Sequence, residues 1–168
     1  YETLVLHHLA QGDTAAAFAW AERSRARAFA DALAGDGKNA AVQQVVALTE
    51  IQAALPAESA LLCYFTTGVL DHDLPMMRTL PTTNPLRVQM LTPARTILFI
   101  VTTEKITAYD CGLDPNLLTI NSPRSQDHTR FLTDSVRRHL YAVLLEEAML
   151  TISANQVYII PHGPLHHL

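Results

Sequence analysis

A histidine–glycine pair and two cysteines are the residues of this chain best equipped for covalent chemistry. His162-Gly163 directly follows a β-branched and aromatic run, Val157-Tyr-Ile-Ile160. An imidazole at a strand end can act as base to a thiol, and a glycine beside it admits a substrate backbone. Cys63 and Cys111 are the thiols such a base would need, and both fall in predicted strands. Two local features oppose that pairing. Pro161 and Pro164 bracket His162-Gly163, which makes the segment a tight turn leading into more chain. Neither cysteine stands at a predicted strand end beside small residues, where a thiolate is reached and stabilised. His162 is therefore read as a structural turn residue. The cysteines are read as buried free thiols of a reducing cytoplasm, with a disulfide as the alternative.

Metal chemistry has one set of candidates, His162, His166 and His167. The four-residue spacing of the first two is that of ligands on one helix face, but Gly163 and Pro164 disfavour a helix across the gap, and no carboxylate or thiol lies nearby in sequence. His7-His8 faces two ways on a helix, one ring outward and one at the margin. Asp71-His72-Asp73 offers acid–base groups in a loop where solvation is the ordinary explanation. Arg23, Arg25 and Arg27 beside Glu22 and Asp31 can bind a phosphate or a partner carboxylate, yet Arg27 with Asp31 is an ordinary i,i+4 pair. Arg137-Arg138 is likewise solvated or paired with Asp134. Glycine-rich phosphate loops, Gly-x-Ser-x-Gly elbows and Cys-x-x-Cys motifs do not occur. No residue is assigned as catalytic, cofactor-binding or metal-binding.

The elements that must position these groups can be read from hydrophobic pattern. About half of the 168 residues are apolar and 17% are charged, enough for one core but few charges for a surface of that size, so some faces are expected to be covered by further sequence. A net charge of −4 with dispersed cations leaves no footprint for nucleic acid. No apolar run approaches the roughly 18 residues of a membrane span, and Tyr1-Glu-Thr does not open a signal peptide.

Tyr1 to Ala10 reads as a short helix that Gly12 closes in the left-handed conformation. Asp13 or Thr14 then caps a second helix, with Ala15, Phe18, Ala19, Ala26, Phe29, Ala30 and Leu33 on one face and Arg23 and Arg27 at its margins. Such a pair cannot bury its own face: it docks on the remainder of the chain, or further repeats precede it. A linker around Gly35 to Asn39 leads to a short helix opened at Thr49 and ended by Pro56, then to Ala60–Phe65, a strand buried on both faces. Thr66 to Pro93 reads as a long irregular loop, with an extra strand around Leu86 to Leu91 as the alternative. Thr96–Thr102 and Lys105–Cys111 make a hairpin about Thr103-Glu104. A loop over Asp114 to Gln126 precedes a long helix capped by Ser125 or Asp127. Its stripe is Leu132, Val136, Leu140, Val143 and Leu144, widened by Phe131 and Met149, with a break near His139. A last strand over Gln156 to Pro161 then implies a parallel, right-handed crossover.

In order, Ala21-Glu-Arg-Ser-Arg-Ala-Arg-Ala-Phe29, Ile51-Gln-Ala-Ala-Leu-Pro56, Leu61-Leu-Cys-Tyr-Phe65, the hairpin, the long helix and Pro161-His-Gly-Pro-Leu-His166 resemble the N-terminal part of a CHAT domain. This is a caspase-like module that comes after tetratricopeptide repeats in many bacterial proteins. The resemblance spans most of the chain except 35–48 and 67–94, where the family has a shorter connection. It implies an α/β fold: a repeat-like helix pair over 1–34, a linker over 35–48, and over 49–168 an incomplete mixed sheet with an antiparallel hairpin and a helical crossover, a partial caspase-like fold. It also implies a parent cysteine peptidase whose catalytic His and Cys lie downstream of the segment like 157–168, so neither is carried onto a residue here. Protein partners are expected through the N-terminal helices, and self-association through the sheet edge left after Val157–Ile160; neither nucleic acid nor membrane is. The alternative is a self-contained interaction module without enzymatic activity.

Overall fold

The computed structural model describes residues 1–35, 45–69, 92–120 and 133–168. Most of the 35–48 linker, the acidic triplet 71–73, the alternative strand at 86–91 and the proposed caps and stripe residues at 125–132 lie outside them. The described chain is mixed α/β, with a four-stranded sheet in the order β3-β2-β1-β4. The strands are β1 (Ser59–Thr67), β2 (Arg95–Val101), β3 (Ile106–Asp110) and β4 (Gln156–Ile160). Among the described residues no helix is long and apolar enough to cross a membrane. By contacts the chain forms two compact units, the first comprising Tyr1–Leu62, Phe99–Ala108 and Ala154–Tyr158, the second Cys63–Leu98, Tyr109–Ser153 and Ile159–Leu168.

The first unit is built on helices α1 (Glu2–Ala10) and α2 (Thr14–Gly35). Gly12 takes the left-handed conformation at φ +77°, as its place after α1 requires. Asp13, not Thr14, caps α2, its Oδ1 accepting the Ala16 N–H at 3.0 Å. The buried face of α2 is Ala17, Phe18 and Ala21. Of the expected stripe, among the residues whose burial is described, only Phe18 is fully buried, and Ala15 is exposed. Alanine fits either side of a helix, so the large ring decides the face. Phe18 docks edge-on against Phe99 of β2, with ring centroids 5.5 Å apart. Phe29, about three turns further along that face, is 51% exposed.

Helix α3 (Leu48–Ala54) starts one residue before the expected Thr49, with Glu50 reaching back to the Ala47 N–H at 3.2 Å. The Gln52 side-chain amide donates to the Thr102 carbonyl at 3.0 Å and so ties α3 to the hairpin turn. That turn is at Thr103-Glu104, as the sequence predicts: the Thr102 N–H donates to the Lys105 carbonyl at 2.9 Å, and the Thr102 hydroxyl accepts from Glu104 and Lys105 N–H.

In the second unit the Arg95 guanidinium pairs with Asp110 at 2.9 Å across the open end of the hairpin. The expected loop after Asp114 contains a short helix, α4 (Asn116–Ile120). Asp114 Oδ1 nucleates it by accepting from the Asn116 backbone N–H, a local turn signal easily read as mere loop. Helix α5 (Asp134–Tyr141) is capped by Thr133, whose hydroxyl accepts the Val136 N–H at 3.3 Å. The helical path widens into a π segment at Ala142–Glu146, just beyond the expected break, and resumes as α6 (Glu147–Thr151). Leu140, Leu144 and Ala148 are its buried stripe; Val136 and Met149 of the expected one are exposed.

β1 is antiparallel to β2, since Thr67 at its end donates to the Pro93 carbonyl just before β2. It is parallel to β4: the Glu58 carbonyl takes the Asn155 N–H at one end, and Thr66 bonds His162 at the other. The parallel pairing implied by the sequence is thus realised.

Candidate functional site

Concave surface and buried polar chemistry come together in the second unit, where β1 meets the turn after β4. That turn is a 3-10 helix, Gly163–His167. The sequence disfavoured a helix here, but Pro164 sits in its first turn, where a missing N–H costs no hydrogen bond. The turn leans on β1 through His162. Its Nδ1 lies 3.1 Å from the Thr66 backbone N and 2.9 Å from Thr66 Oγ1. A backbone N–H can only donate, so Nδ1 is an unprotonated acceptor and the Thr66 hydroxyl donates to it as well. The imidazole also stacks on Phe65, with centroids 4.7 Å apart and planes 30° from parallel. Gly163 makes this approach feasible: at φ +55° it is left-handed, and a Cβ there would lie 2.6 Å from Thr66 Oγ1.

Beside this contact an apolar cavity of about 490 Å³ opens among Tyr64, Leu140, Leu144, Ile159, Pro161 and Leu165, with Arg137 and His166 also on its wall. Tyr64 anchors its floor. The phenol, buried, donates to the Leu144 carbonyl at 2.8 Å, inside the π segment. Burial pushes the Tyr64 hydroxyl well above its ordinary value, and nearby Cys111 adds to the shift. The cavity therefore joins a protonated phenol to mostly aliphatic walls, with the Arg137 side chain among them.

The residues singled out by type are dispersed. Cys63 and Cys111 are free thiols. Cys63 is 1% exposed within β1. Cys111 is not inside a strand as expected: β3 ends at Asp110, and Cys111-Gly112 come just after it. That is the strand-end position a nucleophile favours, yet the surroundings have the wrong sign. Burial chiefly, then Asp110 and Glu147, push the thiol up to about 12, so it stays protonated at neutral pH. Among the described residues no group of three or more His, Cys, Asp or Glu could hold a metal ion.

The other candidates take surface roles. Arg27 pairs with Asp31 at 2.9 Å and Arg137 with Asp134 at 3.6 Å, both pairs exposed. Arg25 lies 2.8 Å from Glu22, whose carboxyl is raised by burial, an effect that Arg25 partly offsets. Arg23 covers the Trp20 ring at 4.6 Å. His7 is exposed and His8 half-buried.

Residue type did not reveal Tyr64 and Thr66. Both sit in an apolar run and matter only through partners about eighty and one hundred positions away. Gly163 was the usable signal, since a glycine beside a turn histidine marks close approach of another backbone or side chain.

No protein-family model, curated protein or solved structure matches this chain.

Proposed function

We propose that this chain is the N-terminal part of a CHAT-type domain with its preceding repeat helices, from a bacterial protein whose complete form is a caspase-like cysteine peptidase. These residues supply scaffold and a coupling surface for protein partners, and the reacting Cys and His belong to strands further along. The observation that carries this reading is β4. Among the described residues it is the outermost strand on its side of the sheet, and Tyr158, Ile159 and Ile160 are 38%, 53% and 37% exposed. Consecutive residues of a strand point to opposite faces, so β4 is bare on both faces, the state of an interior strand lacking its neighbour. The bare end of α2 at Phe29 supports coupling to protein partners through the helices, and the free thiols accord with a reducing cytoplasm.

The test is to isolate the natural protein from its source cells, measure its intact mass and assay it on fluorogenic peptides with and without a thiol-alkylating reagent. The expected result is a mass well above 18.5 kDa and hydrolysis that alkylation abolishes. A larger protein without a Cys–His pair after Leu168 would sink the peptidase reading. The apolar cavity beside Tyr64 favours a second reading, a non-enzymatic interaction module, which predicts partner binding and no hydrolysis.

A further inference from the structure

We propose that His162 is a pH-sensitive latch: the neutral ring holds the 161–168 turn on β1, and its protonation releases that turn and opens the apolar cavity. The geometry is that of a bond which only the neutral ring can make. Nδ1 takes the Thr66 backbone N–H at 3.1 Å and the Thr66 hydroxyl at 2.9 Å. A proton on Nδ1 would set N–H against N–H, and the backbone donor cannot turn away as a hydroxyl can. Histidine is the side chain that ordinarily changes charge between about pH 5 and 8. The latch bears on the cavity because Pro161 and Leu165, on either side of His162 in the chain, form part of its wall. Leu165 is only 6% exposed, so release uncovers apolar surface.

On β1 the ionisable neighbours are the buried Cys63 thiol and the Tyr64 phenol, which stays protonated throughout this range. α4, which packs against the 3-10 turn, has no ionisable side chain of its own. Asp114, at its start, has Oδ1 engaged by the Asn116 backbone and side-chain N–H groups. Within the turn the ionisable residues are His166 and His167. The bond to the Thr66 N–H needs an unprotonated Nδ1, so the latch is closed while the ring is neutral and opens on its protonation.

The test uses the whole chain and tracks the ring nitrogens by NMR together with amide exchange at Thr66 and, as a control, at Leu98 in the core of β2, from about pH 7.5 to 5. The expected result at neutral pH is the Nε2–H tautomer. On acidification Thr66 should lose about tenfold or more of its protection as the ring protonates, while Leu98 keeps its own and an apolar dye begins to bind. His162→Asn, whose Oδ1 takes the place of Nδ1 as an acceptor that does not titrate, should keep Thr66 protected across the range; His162→Phe should expose it at every pH. The proposal is overturned by an Nδ1–H tautomer at neutral pH, by Thr66 protection that stays flat while the ring protonates, or by Thr66 and Leu98 losing protection together. If His162→Phe fails to fold, the parent chain and the Asn variant still decide.

Discussion

β1 and β4 are neighbouring strands of similar apolar sequence, Ala60–Phe65 and Val157–Ile160, with opposite fates. Every β1 residue from Leu62 to Thr67 is buried, whereas β4 has no buried residue at all. Composition does not separate them; place in the sheet does. Among the described residues β1 lies between β2 and β4, whereas β4 has a neighbour on one side only. Apolarity thus reports what a strand is suited to, and the exposure of β4 is what the proposal of a larger sheet rests on.

The sharpest break in that comparison comes from truncating each strand in turn. Phe65→Ala removes a ring with 0% exposure that also stacks on His162, and should cost about 3–5 kcal/mol by denaturant unfolding. Next is Gly163→Ala, which forces a side chain into left-handed backbone and against Thr66, and should cost about 1–3 kcal/mol in the same assay. Tyr64→Phe leaves the buried Leu144 carbonyl without its hydroxyl donor and should cost about 1 kcal/mol or somewhat more, visible as a lower midpoint with unchanged slope.

Alkaline pH separates the strands without mutation. The folded chain raises both the Tyr64 phenol and the Cys111 thiol, so their contribution is complete below the ordinary values of 10.0 and 9.0 and declines as the pH rises beyond them. Stability should therefore fall progressively above about pH 9, less steeply for Cys111→Ala, as a thermal-unfolding series would show. The smallest effect is expected at β4. Ile159→Lys should change stability by less than about 0.5 kcal/mol yet weaken concentration-dependent self-association in sedimentation velocity.

Much of this fold was legible because its signals are local. The hairpin turn at Thr103-Glu104, the helix pair closed by Gly12, and the strand–helix–strand crossover each rest on residues adjacent in sequence. The site was not. The Thr66–His162 and Tyr64–Leu144 bonds join residues that only the folded sheet brings together, and no periodicity encodes them. Alanine ambiguity misplaced the buried face of α2, and a cysteine one residue past β3 reads like one inside it.

Hydrogen exchange at Tyr158, Ile159 and Ile160, measured in this chain alone and in the intact natural protein, tests the central claim most directly. If β4 is the interior strand of a larger sheet, its outward amides exchange freely in the isolated chain and become protected by orders of magnitude in the intact protein. Equally rapid exchange in both would show that β4 is a true edge, and the account of this chain as part of a larger caspase-like sheet would fall.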